Sequence, residues 1–322
     1  MKGLPDIPQI DLGRDGAAAL ARAYPERLRD LVCQARRRYT GLGLGLADRM
    51  AHRWLASAAN PYLPEIEAVA ALAGCAGTYL LNVSYEMACT SAVVPSKDGG
   101  FRLVRVLDWK LNGLGRTLVL ARQEGPAGPF HSLTWPGYAG VLTGIAAGRF
   151  AAAINQPPHG GGVGQRLVGR MQVWRRGGLP PAHLLRQVFE TAPDYETARR
   201  MLIETRVAVP AIFVLAGCGP SDGCVIERTP FEAAVRPAPA AVANHWVSMT
   251  RPGKPRGIDS HGRQRAMERL LKHPPNHFHW LAPPVLNKDT RLVALADPAT
   301  GFLRAQGFEK SGAVTHPLNI DL

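Results

Sequence analysis

The period of the apolar residues changes near Thr78, and that change limits the folds open to this chain. Before it the spacing is helical. Residues 17–38 carry Leu20, Ala23, Leu28, Leu31 and Val32 with arginines between them, residues 41–59 open on a Gly-Leu repeat, and residues 61–72 set Ile66, Val69 and Leu72 on one face. Pro25 interrupts the first run, because a proline ring blocks the helical hydrogen bond behind it. After Thr78 the runs shorten and alternate. Residues 79–85 lead into 89–94, Lys97-Asp98-Gly99-Gly100 is a turn signal, and 101–107 return: a strand, a tight turn and a second strand. Residues 117–122, 131–135, 140–145 and 150–155 continue as strands. Helix returns at 182–191 and 195–205, the latter capped by Asp194. Strands at 211–216, 224–228 and 241–247 follow, then a helix at 263–271 and a hairpin from 291–296 and 301–305. This order predicts an α+β fold in which sheets pack together under helical layers.

Composition narrows the class. The chain has 322 residues, 46% apolar and 20% charged, which supports a buried core and excludes a disordered chain. No run approaches the ~18 apolar residues of a membrane span. Met1-Lys2-Gly3-Leu4-Pro5-Asp6 lacks the apolar centre of a secretory signal, so a cytoplasmic location is the expectation. The net charge of +13 is spread over short clusters, Arg36-Arg37-Arg38, Arg175-Arg176 and Arg199-Arg200. A weak contact with an anionic membrane surface fits that charge, while specific nucleic-acid binding lacks a zinc-finger or basic-aromatic signature. Cysteines stand at 33, 75, 89, 218 and 224, an odd number without a CxxC pair, and HExxH is absent. A disulfide framework and the common metal spacings are therefore not expected. The glycine-rich residues 159–164 lack the last glycine and the downstream acid of a dinucleotide fingerprint and read as a connector.

Among the thiols, Cys89 stands out. It is followed by the hydroxyl residues Thr90 and Ser91, and the turn at 97–100 folds the next strand back on it, returning Arg105 and Asp108 to its vicinity. A thiol beside a guanidinium has a lowered pKa and more reactive thiolate.

Glu86 before Cys89-Thr90-Ser91, followed by Arg105-x-x-Asp108, resembles the acid ceramidase and N-acylethanolamine-hydrolysing acid amidase family of cysteine N-terminal-nucleophile (Ntn) hydrolases. Asn82-x-x-Tyr85-Glu86, Gly137 to Gly144, Phe150 to Asn155, Asn244-His245-Trp246, Arg263-x-x-Ala266 and Pro284 to Lys288 with Thr290 extend the likeness in order, over about residues 60–308. The spacing from Glu86 to Cys89 is shorter than in the mammalian members. The resemblance implies an αββα sandwich of two mainly antiparallel sheets, with residues 1–88 as a helical propeptide or small subunit and 89–322 as the catalytic part. It implies self-cleavage between Ala88 and Cys89, leaving two subunits. The freed α-amine, with a pKa of ~7.7–8.0, then serves as base for the Cys89 thiol. Asp108 is expected to hold that amine, Arg105 to stabilise charge beside the thiol, Asn244 to donate to the oxyanion and Asn155 to be a second polar contact. Arg263 is expected to tie the acidic and amide groups together, and Trp109 to shape the pocket. No metal or organic cofactor is required.

The expected reaction is hydrolysis of the linear amide of an N-acyl amine, a small and lipid-like molecule, through a Cys89 thioester. N-acylethanolamines, ceramide-like lipids and N-acyl amino acids are candidate substrates. Acyl transfer to an amine, as in isopenicillin acyltransferases, uses the same thioester and is the alternative. A papain-like pair of Cys89 with His245 has the residue types without the local signature. A basic protein that binds nucleic acid or membranes without catalysis rests on charge alone.

Overall fold

The structure is a computed structural model that describes residues 3–38, 41–84, 87–158 and 177–322. The N-terminal part holds β1 (Gln9–Asp11) and five helices: α1 (Ala17–Ala23), α2 (Pro25–Arg38), α3 (Gly41–Ser57), α4 (Leu63–Ala73) and α5 (Thr78–Val83). Pro25 separates α1 from α2 by opening the second helix, where its missing N–H costs nothing. Residues 78–83, which the sequence pattern joins to a strand, form the short helix α5, and the strand begins at Met87.

Two sheets follow. β2 (Met87–Pro95) and β3 (Phe101–Trp109) make the expected hairpin. After the single turn α6 (Leu114–Thr117) come β4 (Val119–Gly125), β5 (Gly128–Thr134), β6 (Thr143–Ala146) and β7 (Phe150–Asn155). The helix pair is α7 (Pro181–Thr191) and α8 (Tyr195–Glu204), with the Asp194 side chain accepting the Thr197 N–H at 2.7 Å. Then come β8 (Ala211–Gly217), β9 (Gly223–Arg228), β10 (Ala233–Pro237), β11 (Ala240–Val242) and α9 (Ser260–Glu268), which runs into a 3-10 turn (Arg269–Leu271). β12 (Thr290–Asp297), β13 (Phe302–Glu309), β14 (Gly312–Ala313) and β15 (Leu318–Asp321) close the chain.

One sheet has eight strands in the order β1-β4-β5-β6-β7-β8-β9-β10. The other has seven, β11-β2-β3-β12-β13-β14, with β15 also on β13. Among the described residues, β1 alone pairs parallel to its neighbour within these sheets. The sheets face each other through β2 and β3 against β7 and β8. Helices α7 and α8 cover the outer face of the eight-stranded sheet, and α9 with residues 272–286 covers that of the other, giving four layers.

Alternation along the central hairpin decides where its side chains go. Cys89, Val93, Leu103 and Leu107 join the core between the sheets, while Ala92, Val94, Val104 and Val106 pack outward with Met267 and Val285. The N-terminal helices form their own apolar cluster through Leu28, Trp54, Leu55, Ile66 and Val69, and α2 and α5 also reach the main core with Leu31 and Leu81.

Candidate active site

Antiparallel register places Ala88 opposite Asp108, Cys89 opposite Leu107, and Ser91 opposite Arg105. Cys89 and Arg105 thus share the face toward the other sheet, whose strand β7 ends there in Ile154 and Asn155. Arg105 is fully buried and spends its guanidinium on four partners. Its Nη2 donates to Cys89 Sγ at 3.0 Å and to the Ile154 carbonyl at 2.8 Å, and its Nη1 donates to Asn155 Oδ1 and to Ser91 Oγ at 3.2 Å. A planar fork of donors suits such a divergent set.

The opposite face of the hairpin carries the second arginine. Arg263, on α9, is also fully buried. Its Nη1 donates to the Cys89 carbonyl at 2.8 Å and to Thr90 Oγ1 at 2.7 Å, and its Nη2 donates to Asn244 Oδ1 at 3.0 Å. Asp108 lies 3.8 Å from Arg263, and its carboxylate accepts from Asn287 Nδ2 at 2.8 Å and Thr290 Oγ1 at 2.9 Å. Asn244 spans the nucleophile: its Oδ1 accepts the Cys89 backbone N–H at 2.7 Å, and its Nδ2 donates to the Gln156 carbonyl at 2.6 Å.

Burial dominates the electrostatics. It pushes the Cys89 thiol up from its ordinary pKa, and the pull of Arg105 and Arg263 in the other direction does not overcome it. The lowered thiol pKa that a neighbouring guanidinium suggests is therefore not reached in the intact chain. Burial also raises Asp108, against Arg263, Asn287 and Thr290. Arg263 is lowered by burial, against the charges of Asp108 and Cys89.

The structure joins Cys89, Arg105, Asn155, Asn244 and Arg263 by hydrogen bonds, and Asp108 adjoins them through its 3.8 Å ion pair with Arg263. The scissile-bond candidate Ala88 is packed against Gly257, whose φ is +74° and where a Cβ would fall 2.5 Å from Ala88 Cβ. Trp109 stands edge-on to Trp135 at 6.2 Å and lines an apolar crevice with Leu28, Leu31, Leu81 and Leu114. Glu86 lies outside the described residues, as does the glycine-rich stretch 159–164. His245 does not pair with Cys89: its Nδ1 is 2.8 Å from Ser260 Oγ, which accepts the Asn244 N–H. Burial, His261 and Arg263 lower His245 to about 4. Among the described residues, no group of three or more His, Cys, Asp or Glu is placed to hold a metal ion.

Two further buried polar residues carry no sequence signal. Gln156 is buried, and neither atom of its side-chain amide has a partner. Glu227 is buried and gathers the backbone N–H groups of Val247, Ser248 and Met249 at 2.7–3.2 Å. It thereby holds the loop that follows Asn244, and the strand expected over 241–247 ends at Val242.

No protein-family model matches the chain. Acid ceramidase of Bos taurus is 28% identical over 212 residues, 59% of this chain and 52% of the bovine protein. That of Homo sapiens is 31% identical over 170 residues, 46% of this chain and 41% of the human one. The chain spans about half the length of the curated relatives it matches. Among solved structures, the Caenorhabditis elegans N-acylethanolamine-hydrolyzing acid amidase ortholog superposes with a TM-score of 0.52 at 22% identity, covering 65% of this chain and 93% of that one.

The chain is a distant relative of acid ceramidase with an Ntn-hydrolase fold.

Its two mainly antiparallel sheets are those of that fold, and β1 of the N-terminal part pairs parallel at the edge of the larger one. Among the described residues, no helix is long and apolar enough to cross a membrane.

Proposed function

We propose that the chain is a self-processing cysteine amidohydrolase that cleaves the linear amide bond of N-acyl amines through a Cys89 thioester. The observation that carries this reading is the 3.0 Å contact of Arg105 Nη2 with a fully buried Cys89 Sγ, beside a backbone nitrogen already held by Asn244. Among the described residues the site has two buried guanidinium groups against one carboxylate, a balance suited to a developing thiolate or oxyanion.

In the processing step, Cys89 Sγ attacks the Ala88 carbonyl. The C–N bond breaks, the nitrogen leaves as the Cys89 α-amine, and water hydrolyses the resulting thioester to free the Ala88 carboxylate. Asn244 Oδ1, which accepts the amide N–H at 2.7 Å, is placed to accept from the new amine. Asp108 sits across the strand from Ala88, where Asn287 and Thr290 orient it. In turnover the amine takes the thiol proton and returns it to the departing amine of the substrate. Water then cleaves the acyl-enzyme.

The two side-chain N–H groups of Asn155 are spent on the Val242 and Ala243 carbonyls, whereas Asn244 Nδ2 spends one of its two on the Gln156 carbonyl. The second N–H of Asn244 and the unpaired Gln156 amide are the oxyanion donors in this reading, beside an Arg105 whose Nε is also unpaired. The crevice beside Trp109 is the acyl site in this reading. Its free space, about 30 Å³, admits roughly one water, so an acyl chain enters as the α2 side chains Leu28 and Leu31 yield.

Intact-mass spectrometry of the wild type beside Cys89→Ala tests the first half. Fragments meeting at Ala88/Cys89 in the wild type alone are expected, and an uncut wild type at neutral and acid pH rejects self-processing. A screen of N-acyl amines follows, with and without added amine, and acyl-amine product rather than free acid would mark the transferase.

A further inference from the structure

Tyr138 lies in the same apolar crevice, and its hydroxyl has no role in the cluster around Cys89. The residue is 4% exposed, and its hydroxyl is buried without a hydrogen-bond partner. The ring is held edge-on to Trp135 at 6.4 Å, and the Trp135 indole N–H is spent on the Leu114 carbonyl at 2.7 Å. The rest of the lining is dominated by Leu28, Leu31, Val69, Leu81, Trp109 and Leu111. A buried hydroxyl left unpaired is destabilising, and a phenylalanine would fill the same space without that cost. A resident water needs two to four polar partners, and beside Tyr138 the lining brings one other side-chain hydroxyl, that of Thr78.

We propose that the Tyr138 hydroxyl is a specificity subsite for an oxygen function, a hydroxyl or a keto group, carried on the acyl chain of the substrate. This rests on the reading of Cys89 as the acyl-accepting nucleophile and of the crevice as the acyl site. An unsubstituted chain leaves the hydroxyl unpaired when it fills the crevice. A chain with oxygen at the matching carbon pairs it, so the enzyme selects one positional isomer over the plain chain.

Two measurements on the full-length protein test the proposal, and the first is independent of activity. Tyr138→Phe is expected to raise the melting temperature by about 2–4 °C, since it deletes an unpaired buried donor. A fall in melting temperature would mean that the hydroxyl already has a partner, and would overturn the proposal. The second compares kcat/KM for N-acyl amines of one chain length, plain or hydroxylated at successive carbons. One isomer is expected to exceed the plain chain by about tenfold in the wild type, with the ratio near one in Tyr138→Phe. Equal hydrolysis of every isomer overturns the subsite and leaves the amidase reading standing. Hydrolysis of none rejects the amidase reading and with it the substrate assignment of Tyr138.

Discussion

Two buried arginine clusters, one around Arg186 and one around Cys89, are balanced differently. At the seam with α7, Arg186 bonds Glu65 at 2.8 Å and Glu190 at 2.8 Å, donates to the Ala139 carbonyl at 2.9 Å and lies over the Tyr62 ring at 4.3 Å. Glu65 also accepts the Ala17 N–H, and Tyr62 donates to Glu190 at 2.7 Å. That cluster has two carboxylates for one guanidinium, each bonded to its neighbours, and it fastens α1 and α4 to α7. Around Cys89 the ratio is reversed, and backbone carbonyls and neutral side chains do most of the holding. A buried cation surrounded by acids is a fastener, whereas two cations that share one acid and a thiol leave positive potential for the reaction.

Breaking the fastener should cost most. Arg186→Met strands two carboxylates that are at least three-quarters buried, and a loss of about 3–5 kcal/mol in unfolding free energy is expected by denaturant titration. Adding Glu65→Gln and Glu190→Gln should recover part of it. An unchanged midpoint would erase the distinction between the two clusters.

The reciprocal change at the site should act on rate. A lysine at 105 keeps the charge but cannot reach Cys89 Sγ, Ile154, Asn155 and Ser91 together. Arg105→Lys is expected to slow self-cleavage by about 10²–10³-fold, followed by intact mass over time. A processing rate within threefold of wild type would show that charge alone suffices.

Much of this contrast was open to sequence reading, and the remainder had physical reasons to be hidden. The hairpin of β2 and β3 was legible because its apolar residues alternate around a Lys-Asp-Gly-Gly turn, and the turn returns Arg105 and Asp108 to Cys89. Asn155, Asn244 and Arg263 were legible only through the resemblance, since nothing local to them signals a site. The strands β1, β10, β14 and β15 were missed because they are short, exposed on one side and poor in apolar pattern. Gln156 and Glu227 were missed because their importance lies in partners distant in sequence. The direction of the Cys89 shift was misjudged because charge can be counted in a sequence, while burial, the larger influence here, cannot.

A third prediction separates the clusters by pH. His183, next to the fastener, is fully buried with Asn60 Nδ2 2.9 Å from its Nδ1, and burial with the Arg186 charge lowers it to about 3. Below its ordinary value of 6.5 the unfolded chain takes up a proton that the folded chain refuses, so stability falls as pH drops from about 6.5 towards 3. The raised Asp108 acts the other way: the folded state takes up its proton first as pH falls, so this group favours folding in acid. His183→Gln should remove the first contribution alone. Its stability relative to wild type should improve by about 1 kcal/mol for each pH unit below 6.5, read from denaturation at matched ionic strength. Parallel curves for the two proteins would assign the acid sensitivity elsewhere.

The smallest effect is expected at His245, although it adjoins Asn244 and is the histidine that a papain-like mechanism would need. Its Nδ1 is committed to Ser260 Oγ, its ring stacks on His261 with centroids 3.9 Å apart, and Cys89 Sγ is bonded to Arg105 instead. Lowered to about 4, it is neutral across the range in which a thiolate–imidazolium pair would have to form. A glutamine keeps a polar group for Ser260, so His245→Gln should change the self-cleavage rate by less than about threefold and introduce no inflection between pH 5 and 7. Removing a true general base would cost about 10²–10⁴-fold. A loss of that size would transfer proton transfer from the Cys89 α-amine to the imidazole, and the excess of guanidinium over carboxylate around Cys89 would then serve to hold the thiolate of an ion pair.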